Sequence, residues 1–335
     1  MALTDIWFLL IAVLWTGYLV LEGFDFGVGM LLPVVSRDAV DRQVTLRTIG
    51  PVWDGNEVWL LVAGGATFAA FPFWYASLFS GFYLALLVIL VALIVRGMAL
   101  EYRNKVQDAA WHRRWDLAIV IGSAVPALLW GVALANIVHG VPLDAEHNYT
   151  GTFFTLLNPY ALLGGLTTLA LFALHGAIFL ALKTHGDVRD RARGLVLRLA
   201  MVTVPLAAAF LLWTQSLDGS WITWTLALAA AVCLLGGIAA SRLGRDGLGF
   251  LGTSAAIALA AATLFTTLYP NVLPSTTDAA FSLTTLNAAS TPYTLKIMTW
   301  VAVIFTPIVL LYQGYTYWVF RQRLTRDDFV QPELV

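Results

Sequence analysis

The chain has 335 residues, of which 59% are hydrophobic and 12% are charged, and its formal net charge at pH 7 is −1. Soluble domains carry roughly 25% charged residues, so this composition excludes an ordinary soluble domain and indicates a polytopic membrane protein. No basic patch predicts a nucleic-acid partner. The single Cys233 excludes a disulfide within the chain and contributes to no metal motif.

Long apolar runs predict an all-α fold, a single transmembrane domain over residues 1–335. A helix needs about 20 apolar residues to cross the hydrocarbon core, and runs of that kind predict about nine helices. In chain order they lie at about 6–33, 53–71, 76–97, 116–138, 159–182, 195–214, 221–241, 247–269 and 294–320. The first run has no basic segment before it and no small-residue cleavage site, which favours a first span over a cleaved signal peptide.

The basic residues test this helix count independently. All but Lys296 of the 19 Lys and Arg residues fall in the first, third, fifth and seventh connections or in the tail. Cytoplasmic connections carry the excess of Lys and Arg in membrane proteins. The alternation therefore predicts an N-terminus outside and a C-terminus in the cytoplasm, and a missing helix would break it.

Four carboxylates fall inside the first two predicted helices, where exposure to lipid costs several kcal/mol. Glu22 and Asp25 lie in "LEGFDFGVGM", and Asp54 and Glu57 lie in "GPVWDGNEVWL". Each pair has i,i+3 spacing, which places its members on one helix face. A short connection favours antiparallel packing, so we expect the four carboxylates to converge near the cytoplasmic end. Neighbouring glycines, which permit close helix packing, are Gly23, Gly27, Gly29, Gly55, Gly64 and Gly65.

Proton relay, cation binding and a buried ion pair are the natural uses of such acids. Two of them also have a purely structural interpretation. Asp54 suits the N-terminal cap of the second helix, and Glu57 is placed to pair with Arg47 or Arg96. Asp25 lies mid-helix between two phenylalanines, where no cap is available.

The chain resembles subunit II of cytochrome bd-type quinol oxidases in six segments, which follow one another in the family's order. These segments are "LEGFDFGVGML", "GPVWDGNEVWL", "FSGFYLALLVILVALIVRGMALEYR", "YPNVLPSTTD", "TPYTLKIMTWVAVIFTPIVLLYQGYTYW" and "RLTRDDF". The family's nine-helix architecture agrees with the helix count made from the apolar runs.

The resemblance implies a multi-pass subunit in the bacterial cytoplasmic membrane. The family's complex oxidises a membrane quinol, reduces O2 to water, and takes the consumed protons from the cytoplasm without pumping. Haems b and d lie in the homologous subunit I, so this chain is expected to bind no haem, to have no catalytic residue of its own and to pack against subunit I. Some members also hold a structural quinone or a small accessory subunit.

The acidic positions correspond to family motifs one by one. Asp54 occupies the acid of the Trp-Asp-Gly-Asn motif, and Asp25 occupies the acid of the Gly-Phe-Asp motif. Glu22 stands where some relatives have Asp, and the position of Glu57 holds an amide in some members. The resemblance therefore implies a proton path through Glu22, Asp25, Asp54 and Glu57.

His175 is the one histidine of five at predicted membrane depth. A low-spin b haem needs two axial ligands, so a lone histidine argues against such a haem, whereas a five-coordinate haem stays open. The favoured interpretation is a core histidine bonded to a carbonyl or hydroxyl.

Two other functions use the same acids. One is a proton- or cation-coupled secondary transporter, although such proteins usually show inverted repeats and polar residues near mid-membrane. Here the acids crowd toward one end, and Pro126, Pro205 and Pro307 form no evident repeat. The other is a purely structural helix bundle in which the acids only cap helices or form ion pairs.

Overall fold

The computed structural model describes residues 2–329, and this part of the chain is a helical bundle. Its helices and strands are α1 (Leu3–Val35), α2 (Ala39–Ile49), α3 (Trp53–Ala70), α4 (Pro72–Gly81), α5 (Tyr83–Tyr102), α6 (Ala109–His139), α7 (Pro159–Lys183), α8 (Gly186–Asp218), α9 (Trp221–Arg242), α10 (Asp246–Leu268), β1 (Asn271–Leu273), β2 (Leu283–Thr284) and α11 (Pro292–Val319).

Within residues 2–329, eight helices are long and apolar enough to cross a membrane. These are α1 and all the helices from α5 onward. Helix α3 matches the helix predicted at 53–71, but its first two turns carry Asp54, Asn56 and Glu57, which lower its hydropathy. The polytopic, mainly helical fold is thus confirmed, whereas the count of nine depends on α3 and stays a prediction.

The helix predicted at 76–97 has the wrong start. The chain forms the separate helix α4 from Pro72, which suits a first helical position because proline lacks the unneeded N–H. The helix is interrupted at Phe82, and α5 continues to Tyr102. Residues on both sides of the break are apolar, so composition could not reveal it. The Ser77 hydroxyl donates to the carbonyl of His147 at 2.7 Å, which places α4 along one end of the bundle.

Helices α6 and α8 extend beyond both of their predicted ends. The basic residues Arg189, Arg191 and Arg193 therefore lie in the first turns of α8 and not in a connection. Apolar runs mark only the part of a helix inside hydrocarbon, because charged turns that leave the membrane remain helical.

The two long connections, 139–158 and 270–293, pack together at one end of the bundle. The backbone of Val141 donates to the carbonyl of Pro274 and accepts from Thr276, both at 3.0 Å. His147 Nδ1 lies 2.8 Å from the carbonyl oxygen of Phe281. Strands β1 and β2 pair antiparallel within the second connection.

Ion pairs gather at the opposite end. Asp41 of α2 bonds Arg191 of α8 at 2.5 Å and also pairs with Arg326 of the tail. Arg326 is 2.8 Å from Asp38, and this guanidinium holds the pKa of the Asp38 carboxyl below its usual value. The basic connections therefore meet at one end, as the alternation of charge requires. Which side of the membrane this end faces stays a prediction.

Close packing of α1 against its neighbours depends on glycine. A Cβ on Gly27 would lie 2.0 Å from the carbonyl oxygen of Phe172, and one on Gly176 of α7 would lie 2.4 Å from the backbone of Gly27. Gly23 and Gly29 are equally crowded, by the Phe172 ring and by Ser123. The predicted tight packing around these α1 glycines is confirmed.

For the α3 glycines, the predicted tight packing is not seen among the described residues and stays a prediction. A Cβ at Gly55, Gly64 or Gly65 would meet nothing within 4 Å. Gly64 and Gly65 instead line an apolar cavity beside α3, and the described helices leave open space at all three positions.

The crossing of α1 and α7 gives a test of this packing. We expect Gly176→Ala to lower the free energy of unfolding by about 1–3 kcal/mol, the usual cost of overpacking a close-packed core. Thermal unfolding of the purified protein measures it. Gly236→Ala is the matched control, since Gly236 is also helical but has open space around it. Equal melting temperatures for the two variants would contradict the glycine contact.

Candidate functional site

A buried ion pair links α1 to α5. Glu22 and Arg96 are both fully buried, and Arg96 Nη1 bonds Glu22 Oε1. The guanidinium lies over the Phe26 ring, 4.7 Å from its centre. Gly122 of α6 leaves room for it, because a Cβ there would be 2.8 Å from the Arg96 side chain. The expectation that Arg96 pairs with Glu57 is therefore corrected: its partner is Glu22.

Asp25 is also fully buried, and one oxygen of its carboxylate is bonded by an amide. Asn56 Nδ2 donates to Asp25 Oδ2 at 2.7 Å. Asn56 Oδ1 in turn accepts from Tyr317 Oη at 2.7 Å and from Gln313 Nε2 at 3.3 Å. The Trp59 indole donates to Gln313 Oε1 at 2.7 Å. A continuous network thus joins α1, α3 and α11.

Asp54 lies outside this network. Its side chain is exposed, and its carboxylate accepts from the backbone of Gly55 at 2.7 Å. The cap position of α3 is Val52, so Asp54 does not cap the helix. Glu57 is half-buried and forms no ion pair within the described residues. The structure therefore brings Glu22 and Asp25 together in the interior, and it places neither Asp54 nor Glu57 in contact with them.

Sequence reasoning missed Asn56, Gln313 and Tyr317. Asn56 did carry a signal, because it is an uncharged polar residue between two acids in the first turn of an apolar helix. Nothing in the sequence linked it to residues more than 250 positions later, since that contact exists only once α11 packs against α3.

Several polar atoms around the acids are buried and have no hydrogen-bond partner in the described part of the chain. They are Glu22 Oε2, Asp25 Oδ1, Arg96 Nε, Arg96 Nη2 and Tyr18 Oη. Buried polar atoms of this kind usually bond to protein or to ordered water. The cluster therefore combines free donors and acceptors with two carboxylates, the combination that proton transfer through apolar protein needs.

His175 is a core residue. This agrees with the interpretation favoured from the sequence, where it is the one histidine at predicted membrane depth. It is fully buried, with Nδ1 2.7 Å from Thr253 Oγ1 and Nε2 3.3 Å from the carbonyl oxygen of Val20. Its ring stacks on Phe250 at 4.7 Å. Both ring nitrogens therefore have hydrogen-bond partners. Residues 2–329 contain no group of three or more His, Cys, Asp or Glu that could hold a metal ion.

An apolar cavity of about 580 Å³ lies between α3, α4, α5, α6 and α10. Trp74 and Trp130 line it, and the indole nitrogens of both are buried without an acceptor among the described residues. The cavity therefore suits an apolar molecule.

Comparison with known proteins identifies the family. Residues 3–320 match the family model for cytochrome bd terminal oxidase subunit II. The chain belongs to this family. It is 38% identical over 332 residues to cytochrome bd ubiquinol oxidase subunit 2 of Bacillus subtilis (strain 168), covering 98% of each chain. It is 36% identical over 361 residues to cytochrome bd-I ubiquinol oxidase subunit 2 of Escherichia coli (strain K12), covering 96% of this chain and 95% of the relative.

A solved structure has the same fold. The bd oxidase from Geobacillus thermodenitrificans contains a chain that aligns with a TM-score of 0.77 at 16% identity, covering 95% of this chain and 97% of that one. The protein is thus a multi-span subunit of a bacterial respiratory terminal oxidase, an oxidoreductase complex. Family membership confirms the resemblance and sets aside the secondary transporter.

The ion pair between Arg96 and Glu22 yields a prediction. Removing one partner leaves an uncompensated buried charge, which costs about 3–5 kcal/mol. We therefore expect Arg96→Met to abolish accumulation of the folded subunit, measured by immunoblot and size-exclusion chromatography. Arg96→Met/Glu22→Gln removes both charges, and we expect it to accumulate. A double variant as unstable as the single one would contradict this account of the pair.

Proposed function

We propose that this subunit supplies the oxidase with a proton path from the cytoplasm through Glu22, Asp25, Asp54 and Glu57. The burial of Glu22 and Asp25 within a membrane helix carries the proposal. Ionisable groups at such depth are costly and usually serve ion or proton movement. The path would serve haems b and d of subunit I, where O2 is reduced with electrons from a quinol.

Asp25 is the residue best suited to change its protonation state. Arg96 balances the charge of Glu22, whereas Asp25 forms no ion pair within residues 2–329. Asp25 is instead held by the neutral amide of Asn56. A carboxyl group with a neutral donor on one oxygen and a free second oxygen can hold a proton and release it without breaking an ion pair.

Asp54 and Glu57 are suited to the cytoplasmic entrance. Exposure falls along the proposed route, from the exposed Asp54 to the half-buried Glu57 and then to the fully buried Glu22 and Asp25. A proton taken from water at the end of α3 would therefore pass to progressively drier positions.

The outward face of α3 and α11 supports the contact with subunit I. Gly55 of α3 and Gly314 of α11 both have open space where a Cβ would lie. Small residues of this kind are typical of helix–helix contacts in membranes. Along α11, Leu295 is the one buried residue. Packing of subunit I on this face would place Asp54 at the boundary between the subunits.

The proposed topology has nine crossings in the bacterial cytoplasmic membrane, with the N-terminus outside and the C-terminus in the cytoplasm. Helix α3 supplies the ninth crossing. It begins beside α2 at the end with the ion pairs, and Ala70 at its other end accepts a hydrogen bond of 2.8 Å from Ser290 in the 270–293 connection. The crowding of basic residues at one end supports the orientation.

The cavity fits a structural quinone. Its apolar lining suits an isoprenoid tail, and the aromatic side chains of Trp74 and Trp130 are part of that lining. A quinone bound there would fill the space between α3 and α6 and stabilise the bundle. The chain itself would remain free of haem, in keeping with the bonded state of His175.

Asp54 gives the test of the proton path. We expect Asp54→Asn to slow O2 consumption at least about tenfold, since positioned proton transfer contributes roughly 10²–10⁴-fold to rates. The haem spectrum and the subunit ratio of the purified complex should be unchanged.

Asp108→Asn is the matched control for this substitution. Asp108 is also exposed, and it caps α6 by accepting from Trp111 at 2.7 Å, a role that asparagine fills as well. Its variant should consume O2 normally. Full activity of Asp54→Asn would remove Asp54 from the path.

A further inference from the structure

The hydrogen bonds that lead to Asp25 have a fixed direction. They begin at Trp59, whose indole nitrogen can only donate. Gln313 must therefore turn its carbonyl oxygen toward Trp59, at 2.7 Å. Its amide nitrogen then faces Asn56 Oδ1, at 3.3 Å. A donor-only group at one end thus sets the orientation of the first amide in the network.

The second amide is oriented in turn. Asn56 Oδ1 receives the Gln313 amide and the Tyr317 hydroxyl, the latter at 2.7 Å. Two donors on this oxygen hold the amide so that Nδ2 points at Asp25 Oδ2, at 2.7 Å. If the amide flipped, its nitrogen would face the Gln313 NH2 group, and its oxygen would face a carboxylate oxygen. Both contacts are unfavourable.

We propose that Gln313 and Tyr317 are positioning residues for the proton carried by Asp25. Through Asn56 they keep one donor permanently on Asp25 Oδ2. The proton is then taken up and released at Oδ1, which is buried and has no hydrogen-bond partner among residues 2–329. Glu22 lies one helical turn away on the same face of α1. Two side chains of α11 therefore orient Asp25 of α1. This inference rests on the proposed proton path.

Attachment of α11 is the alternative role for these residues. Helix α11 is also tied to α1 near its other end, where the Trp7 indole donates to Thr299 Oγ1 at 3.1 Å and to the carbonyl of Leu295 at 3.3 Å. These bonds lie far along α11 from its contact with Asn56. Thr299→Val is therefore a control for helix attachment, because it removes one of the two α1–α11 hydrogen bonds without touching the amide network.

A double-mutant cycle on the assembled oxidase tests the inference. O2 consumption per haem is measured from pH 6 to pH 9 for the wild type, Tyr317→Phe, Asn56→Leu, the double variant and Thr299→Val. We expect Tyr317→Phe to slow the reaction about fivefold, the equivalent of one neutral hydrogen bond, and to change the shape of its pH profile. Asn56→Leu should be slower still. The double variant should match Asn56→Leu, because Tyr317 acts only through Asn56.

Three results would overturn the inference. One is a wild-type rate and pH profile in Tyr317→Phe. The others are an additive loss in the double variant and an equal loss in Thr299→Val, since either would assign Tyr317 to helix attachment. Asp25→Asn, assayed beside them, separates this inference from the proposed function. Full activity of Asp25→Asn would refute the proton path itself, whereas a slow Asp25→Asn with an unaffected Tyr317→Phe would refute only the positioning role.

Discussion

The burial of charge in α1 is the constraint on which the rest of the structure depends. Glu22 and Asp25 lie fully buried in a helix of a membrane protein, where an ion without a partner costs several kcal/mol. Arg96 from α5 compensates one acid, and Asn56 from α3 bonds the other. Two further helices must therefore pack against α1 at this level, and α11 must follow because its polar side chains complete the bonds of Asn56.

The glycines make this arrangement geometrically feasible. Gly27 and Gly176 bring the backbones of α1 and α7 into contact, and Gly122 leaves space for the Arg96 side chain. Close packing excludes lipid from the acids, so that the polar atoms face one another and not hydrocarbon. On α3, a Cβ at Gly55 would meet nothing within 4 Å among the described residues. The same residue type thus serves internal packing on α1 and, in our proposal, subunit assembly on α3.

Much of this could be predicted from the sequence, because charge in an apolar run is conspicuous. Glu22 and Asp25 stand out for that reason, and the motifs around them identified the family. Pairing was not predictable: Arg96 is closer in sequence to Glu57 than to Glu22, and only the fold selects Glu22. The break at Phe82 was hidden for a different reason, since the residues on both sides are equally apolar.

The central claim is that protons for O2 reduction pass through Asp25. Proton uptake by the purified complex during a single turnover, followed with a pH-indicator dye alongside haem absorbance, tests it most directly. In Asp25→Asn, haem oxidation that requires no proton should keep its wild-type rate, and dye-detected proton uptake should slow by at least about tenfold. Wild-type proton uptake in a fully haem-loaded Asp25→Asn complex would contradict the account.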